Sequence, residues 1–250
     1  MIKSSKYVKK IRSTNVYDVA NKSPITKAEG LSLQYGNNIL LKREDMQPVF
    51  SFKLRGAYNK LSKLNKNGKN KSVIAASAGN HAQGVAFASL KLGLKATIVM
   101  PVTTPSIKVD SVKRFGAKII LSGDNFDEAF KFAKEMSKKK KATFIHPYDD
   151  PDVIAGQGTI GMEIIEALDE DVDAIFVPVG GGGLLAGVGA YIKSINPKIK
   201  IYGVEPEDAA CLDAAVKANK RVSLKEVGLF ADGVAVKQIG KITYSLIEEW

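Results

Sequence analysis

An alternation running through most of this chain constrains its fold more than any other feature. From Ile39 onward, short continuous apolar runs are separated by stretches with helical periodicity. Ile39 to Leu41, Val73 to Ala75, Ala96 to Met100, Ile119 to Leu121, Thr143 to Ile145, Ala174 to Val179 and Ile199 to Val204 read as strands. Phe52 to Leu64, Asn80 to Leu92, Ser106 to Phe115, Phe126 to Lys138, Met162 to Leu168, Leu184 to Ile195 and a stretch around Cys211 to Ala218 read as helices. Pro101 stops one strand, and Pro105 stands just before a helix, where helix starts tolerate it. Continuous apolar strands separated by helices predict parallel sheets covered on both faces, an α/β architecture.

Composition removes other classes. The chain has 250 residues, 45% of them apolar and 25% charged, as in ordinary globular proteins, enough for one large domain or two small ones. No apolar run approaches the roughly 20 residues that span a bilayer, so no membrane partner is expected. The lone cysteine, Cys211, has no internal disulfide partner, which makes a reducing, cytoplasmic setting the expectation. It reads as a packed small side chain, with a reactive thiol as the other reading. The net charge of +11 raises a nucleic-acid reading. Its lysines are dispersed, however, and the dense run Lys138 to Lys141 ends a helical stretch, where cations suit the dipole and a solvated face. Aromatic and basic residues do not interleave as in single-strand binders, so no nucleic-acid partner is expected. Met1 to Thr14 is basic and acid-free, faintly like a transit peptide, and reads as a first helix.

Three segments carry chemistry. Gly180, Gly181, Gly182 and Gly183 stand between a strand and a helix. Glycines there let backbone N–H groups turn towards an anion beside a positive helix end, a cradle suited to phosphate; a tight unliganded turn is the alternative. Neither a Gly-Lys-Ser/Thr ending nor a G-x-G-x-x-G pattern after a strand is present. Ser77-Ala78-Gly79-Asn80-His81 follows a strand and opens a helix, with Ser77 as the expected cap. Its N–H groups suit a carboxylate; a plain capped turn with His81 at the surface is the other reading. Lys53 opens a helix, where partial desolvation frees its amine for imine chemistry; a solvated lysine is the alternative. An imine-forming amine, a polar turn and a bare-backbone anion cradle together point to a pyridoxal-phosphate site.

In this order the segments resemble a known family. Ser51-Phe52-Lys53-Leu54-Arg55-Gly56-Ala57-Tyr58-Asn59 resembles the cofactor-lysine segment of fold-type II pyridoxal-phosphate enzymes, and within them the biosynthetic threonine dehydratases, or threonine ammonia-lyases. The resemblance continues through Val16 to Ala20, Leu41 to Asp45, Ala76 to Gly84, Gly158 to Glu163, the glycine run, Val204 to Glu207 and Phe230 to Val236. It implies a tryptophan synthase β-like fold of two open parallel-sheet lobes. Residues 1–64 and 150–250 would form a large cofactor-binding lobe and 65–149 a small one, with Pro147 to Pro151 as a crossing. It also implies pyridoxal 5'-phosphate held as an imine by Lys53, with Phe52 beside the ring, Asn80 on the 3-oxygen, Gly180 to Gly183 on the phosphate and Gly233 closing the far side. Ser77, Gly79, Asn80 and His81 would surround the substrate carboxylate, and Lys53 would be the catalytic base. The implied reaction turns L-threonine into 2-oxobutanoate and ammonia, and L-serine into pyruvate, a first step towards isoleucine, in a homo-oligomer (dimer or tetramer).

Departures from the family pattern sharpen these expectations. Ala78 stands where serine racemases carry a second serine, which favours elimination over racemisation. Cys211 stands where a carboxylate would join Glu205 and the Ala209 carbonyl around a divalent cation, so no metal is expected. The family continues past Trp250, through a Ser or Cys partner of the pyridine nitrogen and a regulatory domain. A C-terminally truncated chain, with a large lobe incomplete there and no regulatory domain, is the expectation. A serine dehydratase, another β-elimination or β-replacement enzyme of this fold, and a non-catalytic remnant are the alternatives.

Overall fold

The computed structural model describes residues 3–66, 71–168, 172–228 and 230–250. The first elements are α1 (Lys3–Arg12), β1 (Ile25–Lys27), α2 (Glu29–Tyr35), β2 (Leu40–Lys42) and α3 (Lys53–Lys66). Next come β3 (Ser72–Ala76), α4 (Asn80–Leu92), β4 (Lys95–Met100), α5 (Ser106–Lys113), β5 (Lys118–Leu121), α6 (Phe126–Lys139) and β6 (Thr143–Phe144). The last are α7 (Pro151–Ala167), β7 (Ala174–Pro178), α8 (Gly183–Ile195), β8 (Lys200–Val204), α9 (Cys211–Lys217) and α10 (Lys241–Ile247). The basic N-terminal stretch is a helix as expected; Met1 and Ile2 lie outside the described residues.

Strands β3 to β6 form a four-stranded sheet, ordered β5-β4-β3-β6, with every neighbouring pair parallel. Side chains alternate between its faces. Val73, Ala75, Ile98 and Met100 join Leu61 of α3 and Val85 of α4 in one apolar cluster. Ile74, Ala76 and Val99 join Ala129, Ala133 and Met136 of α6 in another. The continuous apolar runs are therefore strands buried on both faces, and the i, i+4, i+7 spacing on α6 is the stripe that covers one of them.

One expectation needs correction and another is extended. The pairing is not parallel throughout: β1 runs antiparallel to β2, with Ile25 opposite Lys42 and Lys27 opposite Leu40. Gly36, at φ +61°, ends α2 and turns the chain back, and Ala28 N–H donates to the Ile39 carbonyl at 2.8 Å, so the connection closes on itself. The helix expected through Met162 to Leu168 is there, and it extends back to Pro151. The Asp150 carboxylate accepts N–H bonds from Asp152 (2.8 Å) and Val153 (3.3 Å), and Pro151 occupies the first turn. Gly156, Gly158 and Gly161 lower helix propensity there, but they are in the helix for their size.

That size brings three helices into near-contact. A Cβ on Gly156 would lie 2.6 Å from the Arg55 carbonyl and 2.6 Å from Gly56 Cα on α3. A Cβ on Gly187 of α8 would lie 2.5 Å from the Ile154 carbonyl and 2.7 Å from Gly158 N on α7. Helix α7 is thus sandwiched between α3, which starts at Lys53, and α8, which starts at the glycine run. Strands β7 and β8 pair in parallel beside them. An apolar trough of about 1490 Å³ runs between β2 and β7, floored by Ile160 and Ile164 of α7 and Val188 of α8. Phe52, Pro178 and Leu184 line the same trough, so the start of α3 and the start of α8 share one wall.

The glycine contacts give a stability test. Gly187→Ala is expected to cost about 1–3 kcal/mol through overpacking. Gly30→Ala on α2, with open space around its Cβ position, is expected to gain up to about 1 kcal/mol from helix propensity. Urea unfolding of both variants measures the contrast, and equal shifts at the two positions would contradict the packing account.

Candidate active site

Lys53 is positioned from both sides. Ahead of it, Gln47 is fixed to Asn21 by two bonds, its amide donating to the Asn21 carbonyl at 2.8 Å and its oxygen accepting Asn21 N–H at 3.0 Å. Phe50 then adopts φ +55°, a left-handed backbone that costs a non-glycine residue about 1 kcal/mol or more. Its N–H donates to Gln47 O at 2.7 Å, and the turn delivers the chain into α3. Behind it, Gly84 of α4 packs on the Lys53 backbone; a Cβ there would lie 3.0 Å from the Lys53 carbonyl carbon. The Lys53 Nζ sits 5.1 Å from the centre of the Phe52 ring. Burial disfavours the ammonium and brings its pKa down to about 8.

Two residues on, Arg55 is fully buried and its charge is answered at every edge. Nε and Nη2 donate to the two Glu44 oxygens at 2.8 Å each, Nη1 to Glu163 at 2.5 Å and to Thr159 at 3.0 Å, and Nη2 to the Asn21 carbonyl at 3.1 Å. Lys42 pairs with Glu163 at 2.7 Å, and Tyr17 OH donates to it at 2.8 Å. Burial alone would raise the Glu163 pKa; Arg55 and Lys42 overcome it and hold the carboxylate below its ordinary value.

The Ser77 to His81 turn corrects the expected cap. Gly79 is the N-cap of α4 and makes no side-chain cap bond. The Ser77 hydroxyl instead accepts Gly79 N–H at 3.2 Å, inside the turn. His81 is buried, not at the surface, with Nε2 bonded to the Ile145 carbonyl at 3.2 Å. Burial, then the nearby Lys53 charge, brings its pKa down to about 3, so its ring is neutral. The first turn of α4 leaves the N–H groups of Asn80, His81 and Ala82 without helical acceptors, and the Asn80 side chain is exposed beside them.

In the glycine run the carbonyls are tied back and the donors are left over. Gly180 O accepts the Cys211 thiol at 3.4 Å; Gly181 O accepts Thr243 Oγ1 at 2.8 Å and Gly240 N–H at 3.2 Å. Burial pushes the Cys211 thiol up to about 12, which keeps it a donor. The Asp149 carboxylate caps α10 by accepting N–H bonds from Lys241 (2.9 Å) and Ile242 (2.7 Å), and so fixes Thr243. Gly182 adopts φ +85°, and a Cβ on Gly181 would enter the Tyr148 ring. Among the described residues, the N–H groups of Gly180 to Gly183 donate to no protein acceptor. Gly181 to Gly183 are buried and Gly180 is half-buried; buried N–H donors without a partner call for an external acceptor, and the start of α8 adds its positive end. These residues fit a phosphate.

The segment Ile145 to Tyr148 joins the parts: Ile145 O holds His81, the Tyr148 ring covers Gly181, and the Tyr148 backbone and Cβ pack on Gly183. Three residues of backbone span at most about 11 Å. The structure therefore brings together Lys53, Phe52, the Ser77 to His81 turn and the glycine run. Gly233 lies in an exposed turn with open space around its Cβ position, while its neighbour Val234 touches Gly180. Sequence reasoning missed Tyr148, Asp149, Thr243 and the anchoring role of Cys211. The Pro147 to Pro151 segment was the one available signal. Glu205, considered as a metal ligand, instead accepts the N–H groups of Leu212 and Asp213 at 2.9 Å each.

A family model described as pyridoxal-phosphate dependent enzyme matches residues 16–250. The chain is 57% identical, over 97% of its length, to threonine dehydratase 1 biosynthetic, chloroplastic, from Solanum lycopersicum, and covers 40% of that protein. The solved processed form of threonine deaminase isoform 2 from Solanum lycopersicum superposes with a TM-score of 0.95 at 51% identity, covering 98% of this chain and 68% of that one. Maize serine racemase superposes with a TM-score of 0.90 at 31% identity, covering 97% of this chain and 73% of that one. The expected fold-type II architecture is borne out. The chain spans less than half the length of its curated relatives.

The enclosed amine has a chemical signature. Acylation of Lys53 by an amine-selective reagent, followed by peptide mass spectrometry, is expected to titrate with a midpoint near pH 8, against 10.5 for an ordinary lysine. A midpoint at the ordinary value would contradict the enclosure described above.

Proposed function

The chain belongs to the pyridoxal-phosphate dependent enzymes, and from that membership we propose that it deaminates L-threonine to 2-oxobutanoate and ammonia, and L-serine more slowly to pyruvate. The observation that carries this reading is the pairing of a low-pKa amine at Lys53 with a cradle of unpaired N–H donors at Gly180 to Gly183. Threonine as the substrate is supported by the similarity to proteins named threonine dehydratase and threonine deaminase.

In this reading the glycine N–H groups and the start of α8 hold the cofactor phosphate. Phe52 would pack beside the ring of the bound cofactor, Gly233 would close the other side, and the Asn80 carboxamide would donate to the ring 3-oxygen. Ser77 and the backbone of Gly79, Asn80 and His81 receive the substrate carboxylate, with the neutral His81 ring turned inward. Bound pyridoxal phosphate supplies an electron sink that acidifies the substrate Cα proton. The Lys53 amine, part-neutral near pH 8, takes that proton as general base. Ala78 offers only a methyl group on the opposite face, with no second base to return a proton there, so the outcome is loss of the β-hydroxyl as water, the departing oxygen taking up the proton that Lys53 removed. The released enamine then hydrolyses in water to the 2-oxo acid and ammonia. The same reading includes the biosynthetic role towards isoleucine and a homo-oligomer, for which the exposed Leu33 and Tyr35 of α2 supply apolar surface. The free Cys211 thiol supports a cytoplasmic setting.

Ammonia and 2-oxo acid release with pyridoxal phosphate present tests the assignment. Threonine is expected to turn over faster than serine, and Lys53→Ala to lose about 10³-fold or more together with the visible band of the lysine-bound cofactor. Retained turnover in Lys53→Ala, or racemisation of serine in place of ammonia release, would overturn it.

A further inference from the structure

Residues 231–240 pack against the glycine run and are held unequally at their two ends. The C-terminal end is tied to the glycine run and its neighbours. Gly240 N–H donates to the Gly181 carbonyl at 3.2 Å, Arg221 Nε to the Ile239 carbonyl at 2.9 Å, and Leu224 N–H to the Lys237 carbonyl at 2.9 Å. In the middle, the segment lies directly on the cradle: a Cβ on Gly180 would sit 3.1 Å from Val234 Cα and 3.3 Å from Val236 Cγ2. At the far end, Phe230 beside the segment is fully exposed at 102%.

Both the far end and the tied end reach the four-stranded sheet unit through charge. Asp232 pairs with Lys108 of α5, and Lys237 pairs with Asp127 of α6 at 3.4 Å. Both α5 and α6 are crossover helices of that sheet, so each pair joins the cradle side to the unit that carries Ser77 to His81. All four side chains are between 40% and 62% exposed. Pairs this exposed are individually weak and are screened by salt within about 10 Å at 0.1 M. They therefore bias an equilibrium and do not lock it.

We propose that residues 231–240 form an ionic strap, in which the Lys108–Asp232 and Asp127–Lys237 pairs set how often the segment lies closed over the glycine run, and so gate access to Lys53. The gating clause rests on the reading of Lys53 and the glycine run as one site; the strap itself does not. The chemistry predicts a strap that loosens with ionic strength and depends on the complementarity of the charges, not on which residue carries which sign.

Phe230 provides a cofactor-independent probe. Chymotryptic cleavage after Phe230, normalised to cleavage after Tyr35 on α2, which is 61% exposed, is to be followed by mass spectrometry at low and at high salt. The native chain is expected to be cut several-fold faster at high salt. Lys108→Asp alone should be cut at the fast rate at both salt concentrations, and Lys108→Asp combined with Asp232→Lys should return to native behaviour. Salt-insensitive native cleavage, or a charge-exchanged chain that behaves like the single variant, would overturn the strap. Reductive labelling of Lys53 by pyridoxal phosphate and borohydride in the same set reads the gate. Labelling is expected to quicken where cleavage quickens, and an unchanged rate would overturn the gating. Cleavage that responds in a chain never labelled at Lys53 would sustain the strap and reject the Lys53 site itself.

Discussion

Contact between glycines on three helices sets the distance from which everything at the candidate site follows. Gly56 on α3 meets Gly156 on α7, and Gly158 on α7 meets Gly187 on α8, with backbone atoms where side chains would ordinarily stand. Two parts of the proposed site sit at the starts of the outer helices, Lys53 on α3 and the glycine run before α8. Widening either contact by a methyl group moves one of them relative to the other. Close packing of backbone against backbone leaves few soft side chains to absorb a shift, so position is transmitted along rigid helices. The helices therefore act as rulers, and α7, which carries none of the proposed site residues, fixes their separation.

The Arg55 network adds a second constraint of a different kind. Taking a guanidinium out of water is costly, and the cost is met only because Glu44, Glu163, Thr159 and the Asn21 carbonyl satisfy its donors. Such a cluster contributes little net stability, but losing one partner leaves a buried charge exposed to nothing. It thereby enforces one arrangement of the segment before Lys53, of α3 and of α7. Lys53 and Arg55, two residues apart, meet opposite fates. The arginine is ringed by carboxylates and stays charged, whereas the lysine faces a ring and a neutral imidazole, and burial makes its proton easier to remove than an ordinary lysine's.

The parts legible in the sequence are those in which local pattern and tertiary environment agree. Val73 to Ala76 and Ala96 to Met100 are apolar on both faces because helices cover both faces, and the run is visible in one dimension. The β1–β2 pair was not legible, since Ile25-Thr26-Lys27 is half-exposed and shows no such run. The first half of α7 was hidden by a conflict: its glycines argue against a helix locally and are required by its neighbours. At the site, Lys53 and the glycine run were recognisable because their chemistry is written in residue type. Tyr148, Asp149 and Thr243 were not, because each matters only through contacts made far along the chain, such as the Asp149 bonds to α10.

The bond between Arg55 and Glu163 also spans 108 positions of sequence, and the whole four-stranded sheet lies between them. The sheet unit is in effect an insertion whose two stalks are clasped together at their base by a buried ion pair. Closing a loop of that length costs only slightly more entropy than closing a short one, because the penalty grows with the logarithm of length. The greater demand is geometric: the stalks meet only after the insertion has collapsed enough to bring its ends side by side. The clasp thus ties the neck to the compactness of the sheet unit: the buried ion pair is satisfied only while the insertion keeps its two ends side by side.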